Sequence, residues 1–92
     1  MANKNAYSRF YGGSLDNLIQ YMLDDLHGSA FITWSNKFFG LSFKEDENNG
    51  FSIFLFVYDV SKNFIGKSSK FNGPKNSNVL KTILKTECNK LT

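Results

Sequence analysis

The chain has 92 residues, of which 41% are hydrophobic and 16% aromatic, and its formal net charge is +3. This length excludes a second independent domain, so residues 1–92 are expected to form one domain, and the hydrophobic content excludes a disordered chain. No apolar run approaches the roughly 18 residues of a membrane span, and residues 1–5 lack the apolar stretch of a signal peptide, so we expect a cytoplasmic protein without membrane contact.

Few residues of the chain suit catalysis or metal binding. Cys88 is the single cysteine and His27 the single histidine, which excludes an intramolecular disulfide and a zinc site built from the usual ligands. Asp24 and Asp25 are adjacent, so their side chains diverge by about 100° around a helix and form no acid–base dyad. We therefore expect no catalytic residue, metal or cofactor, and no enzyme activity.

The first quarter of the chain predicts a short strand followed by a helix. Residues 5–11, "NAYSRFY", alternate in the manner of a short edge strand. Ser14 is placed to cap the helix, Asp16 suits the dipole of its first turn, and His27-Gly28 is predicted to close it. The apolar positions of this helix share one face: Leu15, Leu18, Ile19, Met22, Leu23 and Leu26.

The middle of the chain predicts a hairpin and then an unusual strand. Residues 30–35 and 38–44 are β-branched or aromatic runs around a predicted turn at Asn36-Lys37, and residues 45–50 form a polar connection. Residues 50–60, "GFSIFLFVYDV", are apolar on both sides of the strand, whereas a strand with one wet face alternates apolar and polar residues. Either both faces of this strand are covered within the chain, or one of them is exposed and binds a partner.

The last third predicts a polar edge strand and a second helix. The strand covers residues 64–71 and is expected to end at Asn72-Gly73-Pro74. Asn76 or Ser77 caps the helix. Its apolar face consists of Val79, Leu80, Ile83, Leu84, Cys88 and Leu91. The fold class is thus α+β, with element order (β)αββββα: an antiparallel four-stranded sheet, a short N-terminal strand that makes a fifth, and two helices.

The central strand suggests how the helices lie on the sheet. Two helices side by side cover one face of a four-stranded sheet, and their aliphatic side chains match Phe51, Ile53, Leu55 and Val57 best. The other face then exposes Phe54, Phe56 and Tyr58, with Trp34 or Phe38 beside them. In the alternative arrangement, the helices lie on opposite faces and bury both sets within the chain.

Three occupants are open for an exposed aromatic face: the N-terminal segment with its tyrosines, a second copy of the chain, and a target molecule. One target is single-stranded nucleic acid, since aromatic sheet faces beside lysines stack bases, and "NGFSIFLF" resembles the RNP1 motif of RRM domains. However, Asn49 replaces its basic residue, Ile53 its central aromatic, and the chain ends on a helix where that fold needs a strand. This function is the alternative, and nucleic acid is the less favoured partner.

The favoured function is a protein-binding module that acts by occlusion, because aromatic anchors and separated charges are what a tight interface requires. In length, composition and lack of a catalytic motif, the chain resembles small phage-encoded inhibitors of bacterial defence, the anti-CRISPR proteins among them. That resemblance implies a protein partner in a bacterial defence complex and a location in the host cytoplasm. The expected contact residues are Phe54, Phe56, Tyr58 and Trp34, together with the acidic residues Asp24, Asp25, Glu45, Asp46 and Glu47.

Charge is distributed unevenly along the chain. Residues 1–50 carry four basic and six acidic side chains, and residues 51–92 carry seven basic and two acidic ones. The five acidic contact candidates suit a phosphate mimic, but the basic half weighs against a pure mimic of DNA. An interface led by the aromatic residues, with a homodimer as one form of it, is the expectation that follows.

Overall fold

The computed structural model describes residues 10–11 and 14–92. They form a mixed sheet and two helices in the order β1, α1, β2, β3, β4, β5, α2. The elements are β1 (Phe10–Tyr11), α1 (Leu15–Asp25), β2 (His27–Trp34), β3 (Lys37–Glu45), β4 (Gly50–Tyr58), β5 (Phe64–Pro74) and α2 (Ser77–Leu91).

The sheet follows the order of the chain. Its strands lie in the sequence β1-β2-β3-β4-β5, and β2 to β5 form an antiparallel meander. The two residues of β1 pair in parallel with Phe31 and Ile32 of β2 at one edge. The predicted α+β class and element order are confirmed. Residues 5–9 of the predicted first strand lie outside the described residues.

Helix α1 begins where the sequence predicts and ends earlier. The Ser14 hydroxyl accepts a hydrogen bond from the backbone N–H of Asn17, as expected for a cap. The predicted closure at His27-Gly28 is wrong, because Leu26 takes the left-handed conformation (φ 63°) and donates its N–H to the carbonyl of Met22. His27 and Gly28 pair instead with Lys44 and Phe43 as the start of β2. Strand pairing therefore overrides the propensity of glycine for a helix end.

The turn between β2 and β3 lies one residue earlier than predicted. Ser35 and Asn36 occupy it with φ values of 52° and 63°, and Lys37 is already paired with Trp34. Positive φ at both central residues is the requirement of a type I′ hairpin turn, whose twist matches that of the flanking strands. Asn36 was correctly assigned to the turn, but its partner there is Ser35 and not Lys37.

Two aspartates organise the loops on either side of β4. Asp46 Oδ1 accepts from the backbone N–H groups of Asn48 and Gly50 at 2.8 and 3.0 Å. Asp59 Oδ1 accepts from the N–H groups of Ser61 and Asn63, each at 2.9 Å. Both loops thus satisfy their own backbone donors, in the manner of Asx-turns.

Strand β5 is longer than predicted. Asn72, Gly73 and Pro74 continue the ladder opposite Ser52, Phe51 and Gly50, so the predicted end at Asn72 is wrong. Proline is tolerated here because β5 is an edge strand of the described sheet and needs no further donor at this position.

Both helices lie on the same face of the sheet, so the arrangement with helices on opposite faces is wrong. Helix α2 is capped by Asn76, whose side chain accepts from the N–H of Val79. The core lies between the two helices and the sheet, and β4 contributes Phe51, Ile53, Leu55 and Val57, each no more than 1% exposed. Among the described residues, no helix is long and apolar enough to cross a membrane.

Candidate functional site

The candidate site is the face of the sheet opposite the helices, which we call the open face. The strand register arranges its side chains in four rows that cross β2, β3, β4 and β5 in that order. The first two rows are mainly polar, and the last two are mainly aromatic. The rows are His27, Lys44, Ser52, Asn72; then Ser29, Ser42, Phe54, Lys70; then Phe31, Gly40, Phe56, Ser68; and finally Thr33, Phe38, Tyr58, Phe64.

Five rings of the open face form a continuous chain of contacts, which we call the aromatic row. Phe54 and Phe56 lie 4.5 Å apart between ring centroids, Phe56 and Phe64 6.4 Å, and Phe64 and Tyr58 5.8 Å. Tyr58 then meets Phe31 at 6.0 Å. Phe54 is 36% and Phe64 54% exposed, and the other three rings are half-buried.

Two structural devices shape the aromatic row. Gly40 leaves room for it, because a Cβ there would lie 3.0 Å from Tyr58 and 3.1 Å from Phe31. At the other edge, the β4–β5 register shifts between Phe56 and Tyr58, and Gly66 takes a φ of 82° within this bulge. The bulge sets Phe64 opposite Tyr58, which brings a fifth ring into the row.

Lysines border the aromatic row. Lys70 Nζ lies 5.6 Å from the Phe54 ring centroid, and Lys62 Nζ lies 5.5 Å from that of Phe38. Both distances fit cation–π contacts, which hold the ammonium groups beside the rings without removing them from water. The open face therefore has an aromatic centre and a cationic margin.

A shallow groove of about 370 Å³ occupies the polar end of the open face, and we call it the cationic groove. Lys44, Lys70 and His27 contribute its basic groups, and Phe54 joins it to the aromatic row. Its remaining polar side chains are the hydroxyl groups of Ser29, Ser42 and Ser52.

Trp34 lies on the other face of the sheet. It is packed against the core, and its Nε1 donates to Asn89 Oδ1 of α2 at 2.9 Å. Of the two residues expected beside Phe54, Phe56 and Tyr58, only Phe38 lies on the open face, opposite Tyr58. A contact of Trp34 with the same partner surface is therefore not supported by its position.

The acidic candidates gather at one corner of the molecule, because the N–H of Glu45 donates to the carbonyl of Leu26 and joins the end of α1 to the end of β3. Several of them are already engaged. Glu45 pairs with Lys75, Asp24 accepts from Gln20, and Asp46 holds its loop. The hydrogen bond from the Gly50 N–H, followed by those from Asn48 and Asn72 and the charge of Lys75, lowers the pKa of Asp46 despite some desolvation. Asp25 and Glu47 are exposed.

The cysteine and the histidine lie on opposite sides of the sheet. Cys88 is buried among the core residues of α2, and His27 lines the cationic groove. Burial, reinforced by the neighbouring charge of Glu87, raises the pKa of the Cys88 thiol to about 12, which keeps it protonated at neutral pH. In the part of the chain that the structure describes, no group of three His, Cys, Asp or Glu side chains is placed to hold a metal ion.

Sequence reasoning identified the centre of the open face but missed its margins. Phe31, Phe64, Lys44 and Lys70 were not among the expected contact residues. The sequence does not show which lysines of different strands lie on the same face, because this depends on the strand register. One signal in the sequence could have identified Phe31. Side chains alternate along β2, so Phe31 and the buried Ile32 point to opposite faces of the sheet.

No protein-family model, no curated protein and no solved structure matches this chain. The function therefore has to be argued from the surface itself.

Proposed function

We propose that the protein is a small non-enzymatic binding module whose open face contacts a protein partner and blocks that partner by occlusion. The observation that carries this proposal is the aromatic row, a chain of five touching rings on a sheet face that no described element covers. Monomeric proteins rarely leave a continuous apolar patch of this kind open to water.

The composition of the patch supports a protein partner. Interfaces between proteins combine aromatic, largely dehydrated groups with charged groups at their margin. The open face combines rings with lysines beside them in the same way. Val60 is 69% exposed and lines a pocket with Phe38, so the apolar surface extends beyond the rings to an aliphatic side chain. Aliphatic groups pack well against protein side chains and add nothing to base stacking.

The profile of the chain supports the class of partner. A small domain without a recognisable catalytic motif suits a function in binding, which is how the small phage-encoded inhibitors of bacterial defence act. We propose a bacterial defence complex as the partner, with the open face as the blocking surface and the exposed carboxylates of Asp25 and Glu47 as peripheral contacts.

A second copy of the chain is the weaker partner on charge grounds. A symmetric dimer through the open face brings the same margin of both copies together, including Lys44, Lys62 and Lys70. Like charges placed opposite one another oppose association. A head-to-tail contact between the acidic corner and the open face pairs opposite charges, but it leaves an unpaired face at each end.

Single-stranded nucleic acid is the second candidate, favoured by one observation: the four strands place no acidic side chain on the open face. Aromatic rings with lysines beside them are the usual platform for stacked bases. Against this candidate, the rings contact one another and Lys70 and Lys62 lie against Phe54 and Phe38, which leaves few free ring faces for bases.

The test is capture of partners from a lysate of the native host with tagged wild-type protein and two variants. Phe56→Ala removes the middle ring between Phe54 and Phe64, and we expect it to weaken capture at least about tenfold, as loss of an interface anchor does. Val79→Ala is the matched control, since Val79 is an exposed apolar residue on α2. Each capture is run with and without nuclease and read by mass spectrometry.

A stoichiometric protein that survives nuclease, is lost with Phe56→Ala and is kept with Val79→Ala supports the proposal. Material that disappears after nuclease treatment contradicts it in favour of nucleic acid. Thermal unfolding of Phe56→Ala is measured in parallel, and Phe64→Ala provides a second variant at a more exposed ring. Equal capture by wild type and both ring variants also contradicts the proposal.

A further inference from the structure

We infer that the cationic groove receives acidic side chains, so that the protein segment bound on the open face is both acidic and apolar. This inference rests on the proposed function and specifies the chemistry of the partner. It is carried by the distribution of charge over the two sides of the sheet.

The open face is basic in every charged position that the strands contribute. Lys44 and Lys70 are the charged residues of the four rows, and Lys62 reaches Phe38 from the β4–β5 loop. The ion pairs among the described residues lie elsewhere and join Lys75 to Glu45, Lys81 to Asp16 and Lys90 to Glu87. Lys44 and Lys70 thus have no carboxylate partner within the described part of the chain.

The nearby loop carboxylates form hydrogen bonds elsewhere and no ion pair with these lysines. Asp46 reaches the corner of the open face, where its Oδ2 accepts from Asn72 Nδ2 at 3.2 Å. Its Oδ1 is occupied by the N–H groups of Asn48 and Gly50. Asp59 is bound in the same way to its own loop. Among the described residues, neither lysine of the groove is in an ion pair, so both ammonium groups are available to a carboxylate of a partner.

The donors of the groove match a carboxylate next to an apolar side chain. Lys44 and Lys70 supply ammonium groups, and Ser29, Ser42 and Ser52 supply hydroxyl donors that are half-buried. Phe54 lies in the wall of the groove and also touches Phe56. A ligand that places a carboxylate on the lysines thus has its neighbouring side chain over the aromatic row, where an aliphatic or aromatic group is favoured.

The experiment is selection from a phage-displayed library of random dodecapeptides on the immobilised full chain. Enriched peptides are synthesised with a fluorescent label, and their affinities are measured by anisotropy for wild type and variants. We expect enriched sequences with two or more Asp or Glu residues beside Leu, Phe, Tyr or Trp. Lys44→Gln and Lys70→Gln are expected to weaken binding about tenfold each, because each removes a charge-assisted contact.

Lys85→Gln is the matched control, since Lys85 is exposed on α2 and its replacement changes the net charge equally. We expect it to leave the affinity within about twofold of wild type, because charges beyond a Debye length are screened. Measurement of the affinity at several salt concentrations provides a second readout. We expect the affinity of wild type to fall as salt rises and that of Lys44→Gln to fall less steeply.

Other outcomes separate this inference from the proposed function. Enriched peptides that lose affinity with Phe56→Ala but not with Lys44→Gln or Lys70→Gln overturn the inference and leave the aromatic interface standing. Selection that yields no peptide sensitive to Phe56→Ala overturns both. A labelled oligothymidine of 20 nucleotides tests the nucleic-acid alternative. If it binds more tightly than every peptide and Lys44→Gln abolishes this binding, the inference of an acidic protein segment is overturned in favour of nucleic acid.

Discussion

Along β4, alternate side chains face the helices or face outward, and both sets are largely apolar. Phe51, Ile53, Leu55 and Val57 are fully buried, whereas Phe54 is 36% exposed and Phe56 and Tyr58 are half-buried. The two sets of side chains are similarly hydrophobic. They differ in whether a helix covers them. The covered face is packed by α1 and α2, whereas no helix among the described residues lies on the open face, where the rings pack against one another. Burial in this strand is therefore decided by the placement of the helices and not by local composition.

The two faces also differ in charge. On the helix side, Lys81 of α2 pairs with Asp16, and Lys75, in the loop before α2, pairs with Glu45. On the open side, Lys44 and Lys70 lie beside rings and hydroxyl groups. The ion pairs among the described residues thus lie away from the open face, whose lysines Lys44 and Lys70 have no carboxylate partner among those residues.

The largest effect that tests this comparison is expected from Leu55→Ala. Leu55 is fully buried at the centre of the covered face, so the variant is expected to lower the free energy of unfolding by about 2–5 kcal/mol. The neighbour Phe54→Ala is expected to cost much less, since the ring is partly exposed and leaves no enclosed cavity. Urea unfolding followed by circular dichroism measures both. Equal losses in the two variants contradict the division of β4 into a core side and a contact side.

A smaller effect is expected from Gly40→Ala, which tests how tightly the aromatic row is built. The new methyl group meets Tyr58 and Phe31 at 3.0 and 3.1 Å, so one of these rings has to move. We expect a change in stability of at most about 1 kcal/mol, because both rings are half-buried on the open face and can shift by a few tenths of an ångström, together with shifted ring resonances of Phe31 and Tyr58 in the NMR spectrum.

Gly66→Ala is the contrasting variant for Gly40→Ala. Its Cβ meets nothing within 4 Å, but its φ of 82° strains any side chain. It is therefore expected to destabilise the bulge while the Phe31 and Tyr58 resonances stay in place. Unchanged ring resonances in Gly40→Ala contradict the described packing of the row.

The smallest effect concerns the corner where the two faces meet. The folded state lowers the pKa of Asp46 from its ordinary 3.8, chiefly through the Gly50 N–H. A depressed carboxyl pKa contributes stability above the ordinary value, and this contribution is lost as the pH falls through the folded value. Asp46→Asn is thus expected to lower the urea midpoint near pH 6, with the difference from wild type shrinking below about pH 3.8.

The control for the corner is Asp25→Asn, which makes the same charge change at the exposed end of α1. It is expected to leave the pH profile close to that of wild type. A constant difference between Asp46→Asn and wild type across the acid range argues against the depressed pKa as the source of the effect.

The elements were largely predictable, and their ends were not. The caps at Ser14 and Asn76 follow from local hydrogen bonding, so the sequence alone located the start of α1 and placed that of α2 to within one residue. The ends at Leu26 and Pro74 depend on pairing with distant strands, and local residue preference pointed elsewhere. The same holds for the hairpin turn, where the register of Trp34 with Lys37 displaced the turn by one residue.

The candidate site divides in the same way. Phe54, Phe56 and Tyr58 share a face because side chains alternate along any strand, which is a property of the backbone. Trp34 was expected beside them and lies with the helices, since its face depends on where β2 begins to pair with β3. Lys44 and Lys70 are separated by 26 positions along the chain and share one groove through the meander of β3, β4 and β5.

The sequence by itself determined the α+β class, the order of the elements and the alternation that divides β4 into two apolar sets. It did so because helix and strand periods and helix caps are local properties of the chain. Three features come from the tertiary structure alone: both helices cover the same face, five rings pack on the other, and two lysines line one groove beside those rings. These features depend on register and layer packing, which join residues far apart in the chain and are set by the free energy of the whole fold.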